Sequence, residues 1–289
     1  MKWFTSIVGA TAISMGFAAP ALAQSNWNTP TEPFHVMDNV YYVGTEGLSA
    51  FLFTTPAGHI LLDGATPQGA PMIEANIAKL GFKVSDVKIL LNSHAHFDHS
   101  GGLAQLKEDT GATLYAMEGD VSALEGGFYL GSEHSTTMGA PPVKVDVVLK
   151  DGLTISLGGF TLKANLTPGH SRGCTSWGAT LHEGGTAYEA LVFCSATVAA
   201  NRITDPVQYE GIVADYRSTF AKTKTMHVDI PLAPHPEFFQ LLQKSEKAKA
   251  DPKGANPFVD PAAFPALMTK LEADFERTLK ERTAAAKAQ

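Results

Sequence analysis

The chain of 289 residues has the composition of an ordinary globular protein, with 44% hydrophobic and 18% charged residues. Its formal net charge is -7 and it carries no basic stripe, which argues against binding to nucleic acid or to an anionic membrane surface. The acidic balance does not restrict the class of small-molecule substrate.

The N-terminal segment has the layout of a secretory signal peptide. Lys2 provides a short basic start, an apolar and small-residue stretch follows, and an Ala-Leu-Ala sequence at residues 21–23 offers a cleavage site. A membrane anchor is the alternative, but the apolar core is short for a bilayer span. We therefore predict that residues 1–23 are removed and that residues 24–289 form a single periplasmic domain.

The first half of this domain alternates predicted strands with predicted helices. Short β-branched and aromatic runs indicate strands at "NVYYVG", "LSAFLFTT" and "HILLDG". An apolar stripe indicates a helix from Pro67 to Gly81, and a buried strand "VKILLNS" follows it. A helix "GLAQLKEDTG", a strand "ATLYAM", a short helix near Gly119 to Leu124 and a Gly-rich loop complete this half.

Strands dominate again from Lys144 onwards. A helix around Tyr209 to Lys222, a strand "VDIPLAPH", a helix from Glu237 to about Lys249 and a C-terminal amphipathic helix follow them. Strands followed by helices, twice over, predict an α/β fold of two sheets enclosed by helices, with the two halves meeting near residue 150.

The two cysteines, Cys174 and Cys194, lie in strand-like runs that could be neighbours in a sheet. In an exported protein an even pair favours a disulfide. A pair of buried thiols and a thiolate metal ligand are the alternatives.

The sequence "NSHAHFDHSGG" concentrates ligand-type side chains directly after the buried strand. His94 and His96 are two residues apart, so they would diverge on a helix but can converge from a loop or a strand end. Asp98 and His99 add an oxygen and a third nitrogen, and imidazole with carboxylate suits zinc. Four such groups in six residues exceed what one tetrahedral ion accepts, which indicates two ions rather than a surface cluster of histidines.

Two further histidines occur in short Pro-containing turns after apolar strands: His170 in "TPGHSRG" and His235 in "LAPHPE". Either one alone is typical of a partly exposed loop residue. Because loops at strand ends commonly deliver ligands to a site on a rigid scaffold, we predict that both join the first cluster.

These motifs, preceded by "LLDGAT", resemble the metallo-β-lactamase superfamily in order and spacing across nearly the whole mature chain. The resemblance implies a four-layer αβ/βα sandwich with the site between the loop edges of its two sheets. It implies two zinc ions, a first held by His94, His96 and His170 and a second held by Asp98, His99 and His235. It also implies that Asp63 is a buried residue supporting the histidine loop.

Two positions indicate the branch of the superfamily. Most relatives that hydrolyse thioesters or lactones have a metal-bridging Asp where this chain has Ser195, and branches with a cysteine ligand lack a histidine at position 99. The pattern is therefore similar to subclass B3 of the β-lactamases. Cys194 lies one residue from the position of a thiolate ligand and would point to the opposite face of a strand, so we interpret it as structural.

The resemblance implies hydrolysis of the β-lactam ring of penicillins, cephalosporins and carbapenems by a metal-bound hydroxide, and so antibiotic resistance. Asp98 would orient the hydroxide, and Ser195 and Thr197 would bind the substrate carboxylate unless they merely cap the strand end. Phe128 or Tyr129 would form an apolar wall. The expected partner is a small β-lactam, and the expected state is a monomer. A lactone or thioester hydrolase and a non-catalytic metal-binding protein are the alternatives.

Overall fold

Two β-sheets form the centre of the computed structural model, which describes residues 26–288. The predicted signal peptide lies outside these residues. None of the helices in the described range is both long and apolar enough to cross a bilayer.

The first sheet has seven strands in chain order, antiparallel from β1 to β4 and parallel from β4 to β7. Its strands are Phe34–Met37 (β1), Val40–Tyr42 (β2), Phe51–Thr55 (β3), Gly58–Leu62 (β4), Val87–Leu91 (β5), Thr113–Met117 (β6) and Val147–Leu149 (β7).

The second sheet has five strands in the order β12-β11-β10-β9-β8, and only its β11–β12 pair is parallel. Its strands are Thr154–Leu157 (β8), Phe160–Leu166 (β9), Thr175–Glu183 (β10), Thr186–Val192 (β11) and Ile230–Leu232 (β12). The change from the first sheet to the second falls between residues 149 and 154.

Alternation along the strands of the first sheet separates two hydrophobic clusters. Ile60 and Leu62 of β4 belong to the cluster shared with the second sheet, whereas Leu61 belongs to the cluster on the other face. Because successive side chains of a strand point to opposite faces, this strand is buried on both sides. The four-layer sandwich predicted from the sequence is thereby confirmed.

Helices cover the outer face of each sheet. Helices α1 and α3 contribute apolar side chains to the outer cluster of the first sheet, and α5 and α7 contribute to the cluster that contains the second sheet. The helices are Ala70–Lys79 (α1), Phe97–Ser100 (α2), Leu103–Thr110 (α3), Val121–Gly126 (α4), Ile212–Thr223 (α5), Leu241–Ala250 (α6) and Ala263–Ala288 (α7).

One helix predicted from the sequence is divided in the structure. The segment from Glu237 to Lys249 begins in a short 3₁₀ helix, Pro236–Phe239, and continues as α6. Gln240 separates the two with a φ of 53°, in the left-handed region that interrupts a right-handed helix. The apolar periodicity of the segment did not reveal this break.

Candidate metal centre

Six candidate ligands lie at one edge of the sandwich, at the carboxyl ends of strands from both sheets. The loop after β5 and the short helix α2 carry four of them, the loop after β9 carries a fifth, and the turn after β12 carries the sixth. In chain order they are His94, His96, Asp98, His99, His170 and His235.

The first group consists of His94, His96 and His170, whose potential ligand atoms lie within 4.8 Å of one another. All three residues are buried. The Nε2 atom of His94 has no hydrogen-bond partner although it is shielded from solvent. A bare buried acceptor is costly unless something binds it, so this group fits a metal ion.

The orientation of His170 is set by its other ring nitrogen. Its Nδ1 lies 2.8 Å from the carbonyl oxygen of Thr197 and can donate a hydrogen bond to it. Donation from Nδ1 leaves the lone pair on Nε2, which is the arrangement typical of a metal-binding histidine.

The second group consists of Asp98, His99 and His235. The Oδ2 atom of Asp98 lies 3.3 Å from His99 Nε2 and 3.4 Å from His235 Nε2, and the two nitrogens are 3.1 Å apart. Tetrahedral zinc with bonds of about 2.0–2.1 Å places its ligand atoms roughly 3.3 Å apart. These donor atoms therefore have the spacing that one zinc ion requires.

The two groups differ in their charge. Burial, with a contribution from neighbouring imidazoles, lowers the pKa of His94 and His96 well below the usual value, and burial lowers the pKa of His170 to about 4. Their rings are thus neutral, which is the state that binds a metal.

Asp98 carries a negative charge into the second group. Burial disfavours its ionised form, but His99 and His235 outweigh burial and hold the pKa of Asp98 well below its usual value. The same contact raises the pKa of His99 against the effect of burial. An ionised carboxylate therefore lies beside the two imidazoles of this group, whereas the first group consists of imidazoles alone.

Asp63 supports the histidine loop through direct hydrogen bonds. Its Oδ1 accepts from the backbone N–H of Ser93 at 2.6 Å and from the side-chain amide of Asn92 at 3.2 Å. Burial raises its pKa to about 6. The residue has a φ of 67°, a strained conformation for a non-glycine residue, which is held here by the surrounding contacts.

Asp120 is a buried carboxylate that we did not single out from the sequence. It accepts hydrogen bonds from the backbone N–H of Ala95 at 3.0 Å, from Ser171 Oγ at 2.8 Å and from the backbone N–H of Gly173 at 2.7 Å. Burial raises its pKa to about 6. Its signal in the sequence was an acidic residue closely following an apolar strand, the position that Asp63 also occupies.

Tyr129, predicted from the sequence beside Phe128 as an apolar wall, forms a second contact region with Asn201, which the sequence did not reveal. The Tyr129 ring stacks on His96 with centroids 4.2 Å apart, and its hydroxyl donates to Asn201 Oδ1 at 2.8 Å. The Asn201 amide donates to the His170 carbonyl at 2.9 Å and lies 3.0 Å from the hydroxyl of Tyr216. This buried network connects the two loops of the first group.

The two cysteines are joined, with an S–S distance of 1.97 Å between Cys174 and Cys194. Cys194 Sγ lies 3.6 Å from His94 Nδ1. Because both sulfurs are engaged with each other, they supply no thiolate to the centre in this state.

Of the residues predicted to bind substrate, Ser195 and Thr197 lie beside His170, whereas Phe128 does not stack on a candidate ligand ring within the described range. The hydroxyls of Ser195 and Thr197 are 3.2 Å apart, and the Thr197 hydroxyl is 3.2 Å from His170 Nδ1. Ser195 Oγ also accepts from the Thr197 backbone N–H, so the capping interaction is present as well. Tyr129 rather than Phe128 stacks on a candidate ligand, whereas Phe128 packs against the outer cluster of the first sheet. The substrate contacts of these residues stay predictions.

Comparison with known proteins identifies the family to which the chain belongs. The family model of the metallo-β-lactamase superfamily matches residues 43–181. The crystal structure of BJP-1, a subclass B3 metallo-β-lactamase of Bradyrhizobium japonicum, is 48% identical and superimposes with a TM-score of 0.88, covering 91% of this chain and 99% of that one. The chain belongs to the metallo-β-lactamase superfamily, and within it to subclass B3.

The chain is also similar to other members of the superfamily. FEZ-1 from Legionella gormanii is 38% identical with a TM-score of 0.83 over 88% of this chain and 98% of that one. A hydroxyacylglutathione hydrolase of Methylococcus capsulatus is 33% identical over 103 residues, which is 36% of this chain. That match spans only about a third of the curated relative, 32% of its length. Membership in the superfamily implies a metal cofactor.

We predict that Asn201→Ala lowers the free energy of unfolding of the metal-free chain by about 2–3 kcal/mol, because it leaves the Tyr129 hydroxyl and the His170 carbonyl buried without this partner. Asn256→Ala is a matched control, since its half-buried amide donates to Val36 and Glu183. The control should cost less than about 1 kcal/mol because water can replace that amide. Urea unfolding followed by circular dichroism measures both, and equal losses would contradict the role of the network.

Proposed function

We propose that the chain is a zinc-dependent β-lactamase that hydrolyses the β-lactam ring of penicillins, cephalosporins and carbapenems, and that this activity confers antibiotic resistance. The proposal is carried by one observation: two adjacent groups of convergent donor atoms stand at the sheet edge of a subclass B3 chain. In line with the signal-like N-terminus, we place the enzyme in the periplasm as a monomer that acts on a small molecule.

Zinc fits the donor set, which consists of imidazole nitrogens and one carboxylate. The first ion would be held by His94, His96 and His170. The second would be held by the three donors of the other group, Asp98, His99 and His235. When bound, zinc supplies a Lewis acid that polarises a carbonyl and lowers the pKa of a water molecule to near 7.

The residues of the chain position the reactants. The ionised Asp98 can accept a hydrogen bond from the attacking water with a carboxylate oxygen and so orient the oxygen toward the lactam carbonyl. The hydroxyls of Ser195 and Thr197 can donate to the substrate carboxylate beside His170. In the reaction, the water oxygen bonds to the carbonyl carbon, the ring C–N bond breaks, and the amide nitrogen takes a proton.

A lactone or thioester hydrolase is the second candidate, supported by the partial similarity to a hydroxyacylglutathione hydrolase. Ser195 disfavours it, because the resembling hydrolases of those substrates have a bridging carboxylate where this chain has a buried hydroxyl. A non-catalytic metal-binding protein is a third reading, and turnover of any of these substrates would contradict it.

We predict that the purified protein opens a penicillin and a carbapenem, and that a chelator abolishes both activities, because the neutral imidazoles cannot activate water alone. The loss of ultraviolet absorbance of the lactam measures the rate, and added zinc should restore it. A lactone and a thioester serve as comparison substrates. Turnover of the thioester or lactone without any lactam hydrolysis would favour the second candidate.

We predict that His170→Ala and Asp98→Ala each reduce the bound zinc from two ions to about one per chain, the first variant at the first group and the second at the other, because each removes one of three protein ligands. His227→Ala is the matched control, since this exposed histidine also pairs with a carboxylate, 3.0 Å from Asp229. Elemental analysis after dialysis measures the zinc content. Unchanged content in Asp98→Ala would show that the ligand assignment is wrong.

We predict that Ser195→Ala raises KM for a β-lactam roughly 10-fold with a smaller change in kcat, because a hydrogen bond to a charged carboxylate contributes about 1.5–3 kcal/mol. Ser156→Ala is the matched control, since this exposed serine pairs with the Thr161 hydroxyl at 2.7 Å in the same way. If the Ser195 hydroxyl only caps the strand end, stability falls and KM stays at the wild-type value. Steady-state kinetics separates these outcomes.

A further inference from the structure

Asp120 lies between the two loops that carry the first ligand group. It follows β6, at the end of a short 3₁₀ helix, Glu118–Asp120, and it is 3% exposed. Neither of the loops contains it, so its contacts are tertiary ones.

Each of the two loops donates hydrogen bonds to the Asp120 carboxylate from positions next to a candidate ligand. On one side the donor is the N–H of Ala95, which stands between His94 and His96. On the other side the donors are the hydroxyl of Ser171, which directly follows His170, and the N–H of Gly173. One carboxylate therefore connects the histidine loop of the first sheet with the histidine loop of the second.

The backbones around this carboxylate are packed too closely for side chains. A Cβ atom at Gly119 would stand 2.6 Å from the carbonyl oxygen of Arg172, and one at Gly173 would stand 2.5 Å from the backbone nitrogen of Asp120. Glycine at both positions permits this approach. The segment of Asp120 and the loop of His170 are thus fixed against each other at van der Waals distance.

The carboxylate of Asp120 is buried without a cationic partner in the described structure. Its oxygens accept hydrogen bonds from neutral donors, and within the described range no Lys or Arg forms an ion pair with it. A buried carboxylate without a cationic partner is costly to maintain. The desolvated carboxylate is therefore maintained at a cost, and its hydrogen bonds all come from the two loops that carry the first ligand group.

We propose that Asp120 is a positioning residue that raises the zinc affinity of the first ligand group by holding its two loops in register. The inference rests on the proposed function, since it requires that His94, His96 and His170 bind zinc. It predicts an effect on the first group that does not extend to the second, whose ligands Asp98, His99 and His235 form no hydrogen bond with this carboxylate in the described structure.

The test measures zinc affinity separately at the two groups. His235→Ala isolates the first group and His170→Ala isolates the second, and competition with a chelating dye gives the affinity of each. Asp120→Asn keeps the shape but places an amide N–H against a backbone N–H, so at least one of the three bonds is lost. In the His235→Ala background we expect zinc to bind 10–100-fold more weakly, the range for residues that orient metal ligands. In the His170→Ala background we expect a change of less than about 2-fold.

Two further variants guard against a general loss of structure. Ser171→Ala removes one donor and keeps the carboxylate, so we expect a loss of about 2–10-fold at the first group, smaller than that of Asp120→Asn. Asp146→Asn is the matched control, because Asp146 also accepts from a backbone N–H, that of Leu114 at 2.9 Å, but lies outside the ligand loops. It should leave both affinities unchanged.

Three outcomes would overturn the inference. Unchanged affinity of the first group in both Asp120→Asn and Ser171→Ala would exclude the positioning role. Equal losses at the two groups would assign Asp120 to general stability. If the unmutated chain binds no zinc, the proposed function fails and the inference fails with it. Either of the first two outcomes, together with normal zinc binding by the unmutated chain, refutes the inference alone.

Discussion

The loop of residues 92–96 carries the first candidate ligands, and its position depends on hydrogen bonds from other parts of the chain. Asp63 and Asp120 accept from the N–H groups of Ser93 and Ala95. The Trp177 indole donates to the carbonyl of Asn92 at 3.1 Å, and the N–H of Thr175 donates to the carbonyl of Ser93 at 2.8 Å. A loop without its own secondary structure is thus anchored by both sheets, and the geometry of the centre follows from this anchoring.

The two sheets therefore contribute different ligands to the centre. The first sheet provides the cluster of ligands on one loop and one short helix, where local spacing fixes their order. The second sheet provides His170 and His235 from loops that are distant in the chain, and their positions depend on the packing of the sandwich. The turn that carries His235 is also held by a residue near the first sheet. The N–H of Ser49, shortly before β3, donates to the carbonyl of Pro234 at 2.7 Å, directly before His235. Rigid interior packing is what allows loops from two sheets to share a site.

Buried acidic residues differ in function according to their neighbours. Asp98 faces imidazoles and remains ionised, which suits a ligand. Asp63 and Asp120 face neutral N–H and hydroxyl donors, and burial raises the pKa of both to about 6. The environment, rather than the residue type, separates the carboxylate that belongs to a ligand group from the two that hold its backbone.

The sequence by itself determined the alternation of strands and helices, the fold family and the set of candidate ligands, because these depend on local periodicity and on short motifs such as "HAHFDH". The break at Gln240 escaped it, because apolar periodicity does not record the left-handed backbone at one residue. Only the tertiary structure decided that Asp120 bonds to both histidine loops and that Tyr129 stacks on His96. It also decided that Asn201 connects Tyr129 with the loop of His170. These contacts join residues that are far apart in the chain, and no spacing rule relates them. They arise when the two sheets pack, since packing brings the loop ends to one edge, where buried polar groups form hydrogen bonds with residues from other parts of the chain.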